Sequence, residues 1–232
     1  MDAYEHVAGL VPVRDDRPTV VAVTGPVAVG KSAVAVTLGA ALAPRTAVAI
    51  ATDGFLMTNS ELLSRGLLME KGHPATYDVG ALTRFVMDVR AGRRAVAPRY
   101  SHLTYDRVTK VVDVVVGVDV LLLEGLHLLH EAFASVGELV DLSVYVDASD
   151  CDVERWYRDR FQALVARARD EPRAFELYRS LDPDSCDDVA EEIWRSVNAP
   201  NVERFVRPTR RRADIVLEKG PDHSIRQVVE QR

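Results

Sequence analysis

Short β-branched runs alternate with longer amphipathic stretches along most of this chain. Thr19–Thr24 (TVVAVT) follows Pro18 and keeps almost no polar position to expose, the pattern of a strand buried on both faces. Ala47–Ala51 (AVAIA), Val118–Leu123, Leu142–Val146 and Ala213–Glu218 repeat that pattern. Between the first two, Ser32–Leu42 is rich in Ala, Val and Leu and stops before Pro44, which predicts a short helix and, with its flanking strands, a βαβ unit. Leu82, Phe85, Val86 and Val89 recur at i, i+3, i+4 and i+7 behind Asp78, with Gly92 just past the end, and predict a capped helix. Val108–Val116 alternates, as a ribbon or edge segment does. Ser149 and Asp152 resemble a capping box opening a helix on which Val153, Trp156, Tyr157, Arg160 and Leu164 share one stripe. An Arg on that stripe is out of place unless it has work to do. Val189, Ile193 and Val197 predict a further helix ending near Asn198, and Ser224 reads as the start of a terminal helix. The first 18 residues show no clear period.

Strand followed by helix, repeated, predicts an α/β fold: a doubly wound, mainly parallel sheet with helices on both faces, and a ligand site beyond the carboxyl ends of the strands. Residues 1–18 read as an N-terminal segment and 19–232 as a single domain, a size consistent with one large core. Hydrophobic residues at 47% and charged residues at 28% exclude a disordered or fibrous chain. With 29 Lys plus Arg against 35 Asp plus Glu, the net charge is −6, so non-specific nucleic-acid binding has no overall positive field to use. No apolar run reaches the roughly 18 residues of a membrane span, and the acidic start lacks the form of a secretory signal. Cys151 and Cys186 alone suggest neither a disulfide framework nor a zinc site, and a cytoplasmic location is expected.

The strongest chemical signal is Gly25-Pro26-Val27-Ala28-Val29-Gly30-Lys31-Ser32, which matches GxxxxGK[ST] between a predicted strand and a predicted helix. In such a loop the backbone around Gly25, Val29, Gly30, Lys31, Ser32 and Ala33 wraps nucleotide phosphates. Lys31 reaches the β- and γ-phosphates, Ser32 ligates Mg²⁺, and the helix N-terminus adds positive potential. ATP and Mg²⁺ are therefore the expected cofactors. Glu124 ends an apolar strand and precedes Gly125, the position of a carboxylate beside the metal. Asp53, at the end of the second strand, is the candidate general base on an acceptor hydroxyl, although Asp-Gly is also a common turn pair. No guanine-reading [NT]KxD segment follows a later strand, which argues against a GTPase switch. The triplet Arg210-Arg211-Arg212 is too small to make an acidic protein a nucleic-acid binder.

TGPVAVGKS, TDGFL, GLLMEKGHPATYD, APRYSHLTYD, LLLEGL and NxxNxxxxxxPTR, in this order and spacing, resemble the prokaryotic type I pantothenate kinases from about Thr19 to the C-terminus. The resemblance implies the phosphate-loop kinase fold and transfer of the γ-phosphate of ATP to the 4′ hydroxyl of pantothenate, the first step of coenzyme A synthesis. It also implies a homodimer. Residue by residue, it makes Lys31, Asp53 and Arg160 catalytic, and assigns Tyr100, His102, Tyr105, Tyr157 and Asn198 to pantothenate. Phe161, Phe175 and Tyr178 align with the walls of the substrate pocket; without the resemblance they would read as core. Lys219 and His223 align with contacts on the adenine side of the nucleotide.

The chain departs from the family pattern at several places. Only 18 residues precede Thr19, where family members carry a helical segment closing the adenine pocket, so the N-terminus reads as truncated and altered adenine contacts are expected. Val36 stands where members with strong coenzyme A feedback have Arg, so weak feedback is expected. Leu164 replaces a pocket aromatic, His127 stands where Asn is usual after LEGL, and Arg99 adds a cation before Tyr100 that would suit a more acidic acceptor. Two alternatives therefore stay open: a related kinase acting on another small alcohol such as a nucleoside or specialised metabolite, and an inactive nucleotide-binding regulator. Retention of Lys31, Ser32, Asp53, Glu124 and Arg160 argues against the second.

Overall fold

The computed structural model describes residues 2–231. The first half of the chain forms α1 (Ala3–Leu10), β1 (Thr19–Thr24), α2 (Lys31–Ala41), β2 (Ala47–Ala51), α3 (Asn59–Ser64), α4 (Val79–Arg90), β3 (Ala95–Ser101) and β4 (Asp106–Val115). The second half adds β5 (Val120–Glu124), α5 (Ala134–Gly137), β6 (Leu142–Asp147), α6 (Asp150–Ala168), α7 (Glu176–Ser180), α8 (Cys186–Ile193), β7 (Ile215–Lys219) and β8 (Ile225–Glu230). The main sheet runs β2-β5-β1-β6-β7-β8, parallel except for the last pair, while β3 and β4 make a separate antiparallel ribbon.

Helices cover both faces, as the apolar runs require. Val21 and Val23 of β1 with Leu122 of β5 pack under α1, α2 and α6. Val20 and Ala22 with Leu121 and Leu123 pack under α4 and the ribbon. Each fully buried Leu in these strands contributes roughly 2 kcal/mol by leaving water. The register is what positions the site: Glu124 lies opposite Val23 on one side and Ala51 on the other, so the carboxyl ends of β1, β2 and β5 are level.

Three local expectations need correction. Ser224 opens no helix. Ile225–Glu230 is a strand pairing antiparallel with β7, and Val228 and Val229 pack on opposite faces with the period of a strand. The i, i+3, i+4 spacing of Ile225, Val228 and Val229 imitates a helix, but six residues make a weak helix and the open edge of β7 offers a full ladder of main-chain partners. The N-terminal segment, which shows no period, contains α1, capped by Asp2 and Glu5. Val7 and Val11 are buried in the same core as α2, and the His6 ring meets Glu230 of β8 at 2.9 Å. Finally, the helix expected to end near Asn198 continues through wider π turns, Trp194–Asn198 and Val202–Val206, on either side of Pro200, which contributes no N–H to the helical ladder.

Candidate active site

The loop from Gly25 to Gly30 links β1 to α2, and its glycines are dictated by space. A Cβ on Gly25 would fall 2.2 Å from the Val146 carbonyl oxygen, and Gly30 sits at φ +89°. Ala28 also lies in the left-handed region at φ 63°, so the loop curls tightly enough for successive N–H groups to converge. Lys31 folds back and its Nζ donates to the Pro26 carbonyl at 2.8 Å. Its enclosure lowers the ammonium pKa from 10.5 to about 8, with Glu124 and Asp53 opposing that shift and Arg160 adding to it.

Ser32 Oγ donates to Glu124 Oε1 at 2.8 Å. Burial raises the Glu124 carboxyl pKa, while nearby Lys31 lowers it. A hydroxyl and a carboxylate at the mouth of a phosphate loop suit a hard divalent cation, with phosphate oxygens and water completing its coordination. Among the described residues no group of three or more His, Cys, Asp or Glu could hold a metal independently of such partners.

Asp53 lies in a 3₁₀ turn, Thr52–Phe55, at the end of β2. Gly54 is required there, since a Cβ would lie 1.8 Å from the Pro98 carbonyl oxygen of β3; a Cβ on Gly125 would lie 1.9 Å from Thr52 Oγ1. The two glycines let Asp53, the end of β5 and the ribbon crowd together. Tyr77 donates its hydroxyl to Asp53 Oδ1 at 3.4 Å, and His102 Nε2 stands 3.6 Å from Oδ2. Burial raises the Tyr77 phenol well above its ordinary pKa, so it remains a donor.

The remaining residues assigned to the acceptor form one continuous aromatic wall. Tyr105 stacks on Phe175 with centroids 4.9 Å apart, Phe175 meets Tyr178 at 5.4 Å, Tyr178 meets Phe161 at 5.5 Å, and Phe161 meets Tyr157 at 6.2 Å. Asn198, whose Nδ2 donates to the Ile193 carbonyl at 3.4 Å, opposes the rise that burial gives the Tyr157 phenol pKa, and Tyr100 packs edge-on to His102 at 5.2 Å. Arg160 is exposed, and its charge acts on Lys31, His102, Glu124 and Tyr178. Among the described residues no carboxylate lies within ion-pair distance of it, whereas Arg158, two residues away, pairs with Asp187 and with Glu191. The out-of-place Arg of the α6 stripe therefore has its guanidinium available to the cleft.

On the other side of the loop, Lys219 Nζ donates to the Val29 carbonyl at 3.0 Å and lies 3.4 Å from His223 Nδ1. His223 stacks on Trp156 at 4.0 Å. Lys219 is thus a brace beneath the phosphate loop as well as a neighbour of His223.

Sequence reasoning gave no role to Lys71, Tyr77 or Trp156, and noted His127 only as a departure from the family pattern. Lys71 is 6% exposed, donates to Asn59 Oδ1 at 2.5 Å and to the Tyr105 carbonyl at 2.6 Å, and lies over the Tyr105 and Tyr100 rings. Desolvation takes its pKa to about 8. The signal available was its place in the GLLMEKGHPATYD motif, where a Lys among loop residues looks like a surface cation. A cleft of about 360 Å³ runs past Ser32, Val36, Asp53, Arg99 and Glu124. Arg99 does not stand free in it as the sequence suggested: its Nη2 and Nε bind Asp113 Oδ1 at 2.5 and 2.8 Å. Within the arginine triplet, Arg210 pairs with Asp147 and Glu218, and Arg212 donates to the Leu129 carbonyl.

A phosphate loop on a parallel sheet, with a Ser–Glu oxygen pair and an aspartate at the acceptor side, defines a phosphate-loop kinase. Structural likeness agrees: a Silicibacter kinase described as part of a fructose transport system superposes with a TM-score of 0.72 at 22% identity, covering 89% of this chain and 96% of that one. D-glycerate 3-kinase from Cryptococcus neoformans superposes at 0.67 with 14% identity, covering 98% and 95%. Residues 20–163 match the phosphoribulokinase/uridine kinase family. Pantothenate kinases from Sorangium cellulosum and Streptomyces coelicolor are each 44% identical over 91% of this chain, covering 72% and 68% of their own lengths, and that of Corynebacterium glutamicum is 46% identical over 91%, covering 70% of its length. The chain belongs to the phosphoribulokinase/uridine kinase family and, within it, to the pantothenate kinases.

Proposed function

We propose that the protein transfers the γ-phosphate of ATP to the primary hydroxyl of pantothenate, the first step of coenzyme A synthesis. The observation that carries this reading is 44% identity to pantothenate kinases over 91% of the chain. The Asp53 carboxylate at the head of an aromatic pocket, level with the phosphate loop, supports it.

In this reading the loop N–H groups and Lys31 hold the phosphates. Asp53, fixed by Tyr77 and His102, orients the acceptor hydroxyl and takes its proton. Arg160 faces charge on the transferring group. The wall from Tyr105 to Tyr157 holds the acceptor chain, with Asn198 as its polar end, and keeps water from the transfer. Mg²⁺, when bound, neutralises phosphate charge, and Ser32 with Glu124 are the residues that would hold it. His223 and Trp156 serve the adenine side. As part of this proposal the protein is a cytoplasmic homodimer. No helix among the described residues is long and apolar enough to cross a membrane.

The test is ADP release with ATP and Mg²⁺ across pantothenate, pantetheine, pantoate and several nucleosides. Turnover with pantothenate is expected, and Asp53→Asn should keep ATP binding while losing roughly 10²–10⁴ of the rate. Turnover with a different acceptor alone would reassign the substrate, and an unimpaired Asp53→Asn would remove Asp53 as the base.

A further inference from the structure

The segment between α3 and α4 carries two groups that touch the acceptor side, Lys71 and Tyr77, yet it has little regular structure of its own. It consists of single 3₁₀ turns, Leu68–Glu70 and Pro74–Thr76, around Gly72, which sits at φ +97°. Its position must be set from outside. Main-chain bonds from Met57 N–H to the Thr76 carbonyl and from Asp78 N–H to the Phe55 carbonyl fix its end, and two buried polar side chains hold its middle through one atom: His127 Nε2 lies 2.7 Å from the Gly72 carbonyl oxygen, and Asn201 Nδ2 donates to the same oxygen at 3.1 Å. His127 is 1% exposed and Asn201 6%.

The origin of the two side chains gives the contact its meaning. His127 lies three residues beyond Glu124, in the turn leaving β5, and Asn201 lies three residues beyond Asn198, one helical turn along. The Gly72 carbonyl therefore joins the metal-side strand, the helix bearing Asn198 and the segment bearing Lys71 and Tyr77. The His127 ring also meets the edge of Tyr77 at 5.7 Å, and Tyr77 is the residue that donates to Asp53.

We propose that His127 is a positioning residue for phosphoryl transfer, acting through the Gly72 carbonyl it shares with Asn201 to hold Lys71 and Tyr77 against Asp53 and the acceptor. The protonation chemistry fits. An oxygen can only accept, so Nε2 carries a proton, and burial, which lowers the pKa to about 4, favours the neutral ring. That assignment leaves Nδ1 as an acceptor, and it is buried without a partner, as is Asn201 Oδ1. Two unmet buried acceptors flanking one shared carbonyl are costly, and a fold keeps such an arrangement when the contact it secures matters.

This inference rests on the kinase reading above, and the experiment separates the two. His127→Phe preserves the ring contacts with Tyr77 and Phe133 but removes the donor, whereas His127→Gln keeps an N–H near the Nε2 position. Steady-state kinetics with the alcohol that the wild-type protein turns over should show His127→Phe losing about tenfold or more in kcat/KM for the acceptor. KM for ATP should stay within about twofold and the melting temperature should be retained, with His127→Gln recovering most of the loss. In a Lys71→Met background, His127→Phe should add less than about twofold, because both act through one segment. Amide hydrogen exchange in the ligand-free protein supplies a readout without substrate: His127→Phe should speed exchange over residues 68–77 and leave β1 and β5 protected. Unchanged acceptor kinetics, equal losses for ATP and acceptor alongside a lower melting temperature, full additivity with Lys71→Met, or unchanged exchange over 68–77 would each overturn the proposal. Absence of pantothenate turnover in the wild-type protein would overturn the substrate assignment and leave the exchange test of His127 in force.

Discussion

The Ser32 hydroxyl donates to the Glu124 carboxylate across 2.8 Å, joining the first turn of α2 to the last residue of β5. Each side chain is the other's partner, and both present oxygens suited to the same hard cation. Glu124→Gln keeps the shape and a polar contact to Ser32 but removes the negative charge. It should raise the Mg²⁺ concentration giving half-maximal activity by about tenfold or more, with little change in melting temperature. Titrating Mg²⁺ at saturating ATP checks this, and an unchanged Mg²⁺ dependence would take Glu124 out of the metal site.

Lys31 predicts the alkaline limb of the pH profile. Its folded-state pKa of about 8 lies below the ordinary 10.5, so the ammonium is present below pH 8 and lost above it. The ratio kcat/KM for ATP reports the free enzyme and should fall as pH rises through about 8, while kcat, measured with phosphates bound beside the ammonium, should hold to higher pH. The stability sign is opposite. Between pH 8 and 10.5 the unfolded chain binds the proton that the folded chain has released, so this group's contribution to stability rises with pH over that window. Loss of kcat/KM without loss of melting temperature between pH 8 and 9.5 is the expected pair of results.

Much of the candidate site was legible because the residues proposed for its chemistry cluster where strands end. Lys31, Ser32, Asp53 and Glu124 all follow continuous apolar runs, and a parallel sheet brings such positions to one edge regardless of the loops between them. Arg160 was legible as a charge on an apolar stripe. Lys71 and Tyr77 were not, and His127 stood out only as a departure after LEGL, because their surroundings depend on how irregular segments cross: a Lys in a loop and a His in a turn look solvated until Tyr105 and Gly72 are found beside them. The strand Ile225–Glu230 was misread for a related reason, since a short edge strand owes its conformation to its neighbour more than to its own period.

The stack of His223 on Trp156 predicts a nucleotide-specific effect. His223 is held at φ 66° in the turn between β7 and β8, and Arg155 of α6 donates to the Pro221 carbonyl in the same turn at 2.9 Å. His223→Ala removes one ring of the platform without disturbing Asp53 or the aromatic wall. KM for ATP should rise roughly three- to tenfold, in line with about 1 kcal/mol for one aromatic contact, with acceptor KM unchanged. In a Trp194→Phe background, nucleotide binding should alter Trp156 fluorescence. Silence of that signal on ATP binding would put the adenine elsewhere.

Val36 is 65% exposed and lines the cleft that reaches Ser32 and Asp53. Among the described residues lining this cleft Arg99 is the one Lys or Arg, and it is already engaged by Asp113. Coenzyme A, a polyanion, therefore finds no unpaired Lys or Arg beside Val36 among the described residues lining this cleft, and weak inhibition is expected. Val36→Arg should strengthen inhibition by about tenfold without changing the uninhibited rate by more than about twofold. Strong inhibition of the wild-type protein by coenzyme A in a direct ADP-release assay would defeat this prediction.

The close approach at Gly54 makes the last prediction one of stability and activity together. A Cβ there would lie 1.8 Å from the Pro98 carbonyl oxygen and 2.8 Å from its carbon, both backbone atoms that cannot rotate away. Gly54→Ala must therefore displace either the turn carrying Asp53 or the ribbon carrying Tyr100 and His102. Because β3 and β4 pair only with each other, the ribbon is the softer element and should move. The variant is expected to lose roughly 2–3 kcal/mol of stability, the range for backbone clashes that relax in part. Its acceptor KM should rise more than its KM for ATP, since the clash falls on the ribbon carrying Tyr100 and not on the phosphate loop. Gly92→Ala, at φ +67° with nothing within 4 Å, is the control: it carries backbone strain without a clash, and should lower the melting temperature while leaving the two KM values in their wild-type ratio. Equal effects of Gly54→Ala on both substrates would show that the ribbon does not shape the acceptor site.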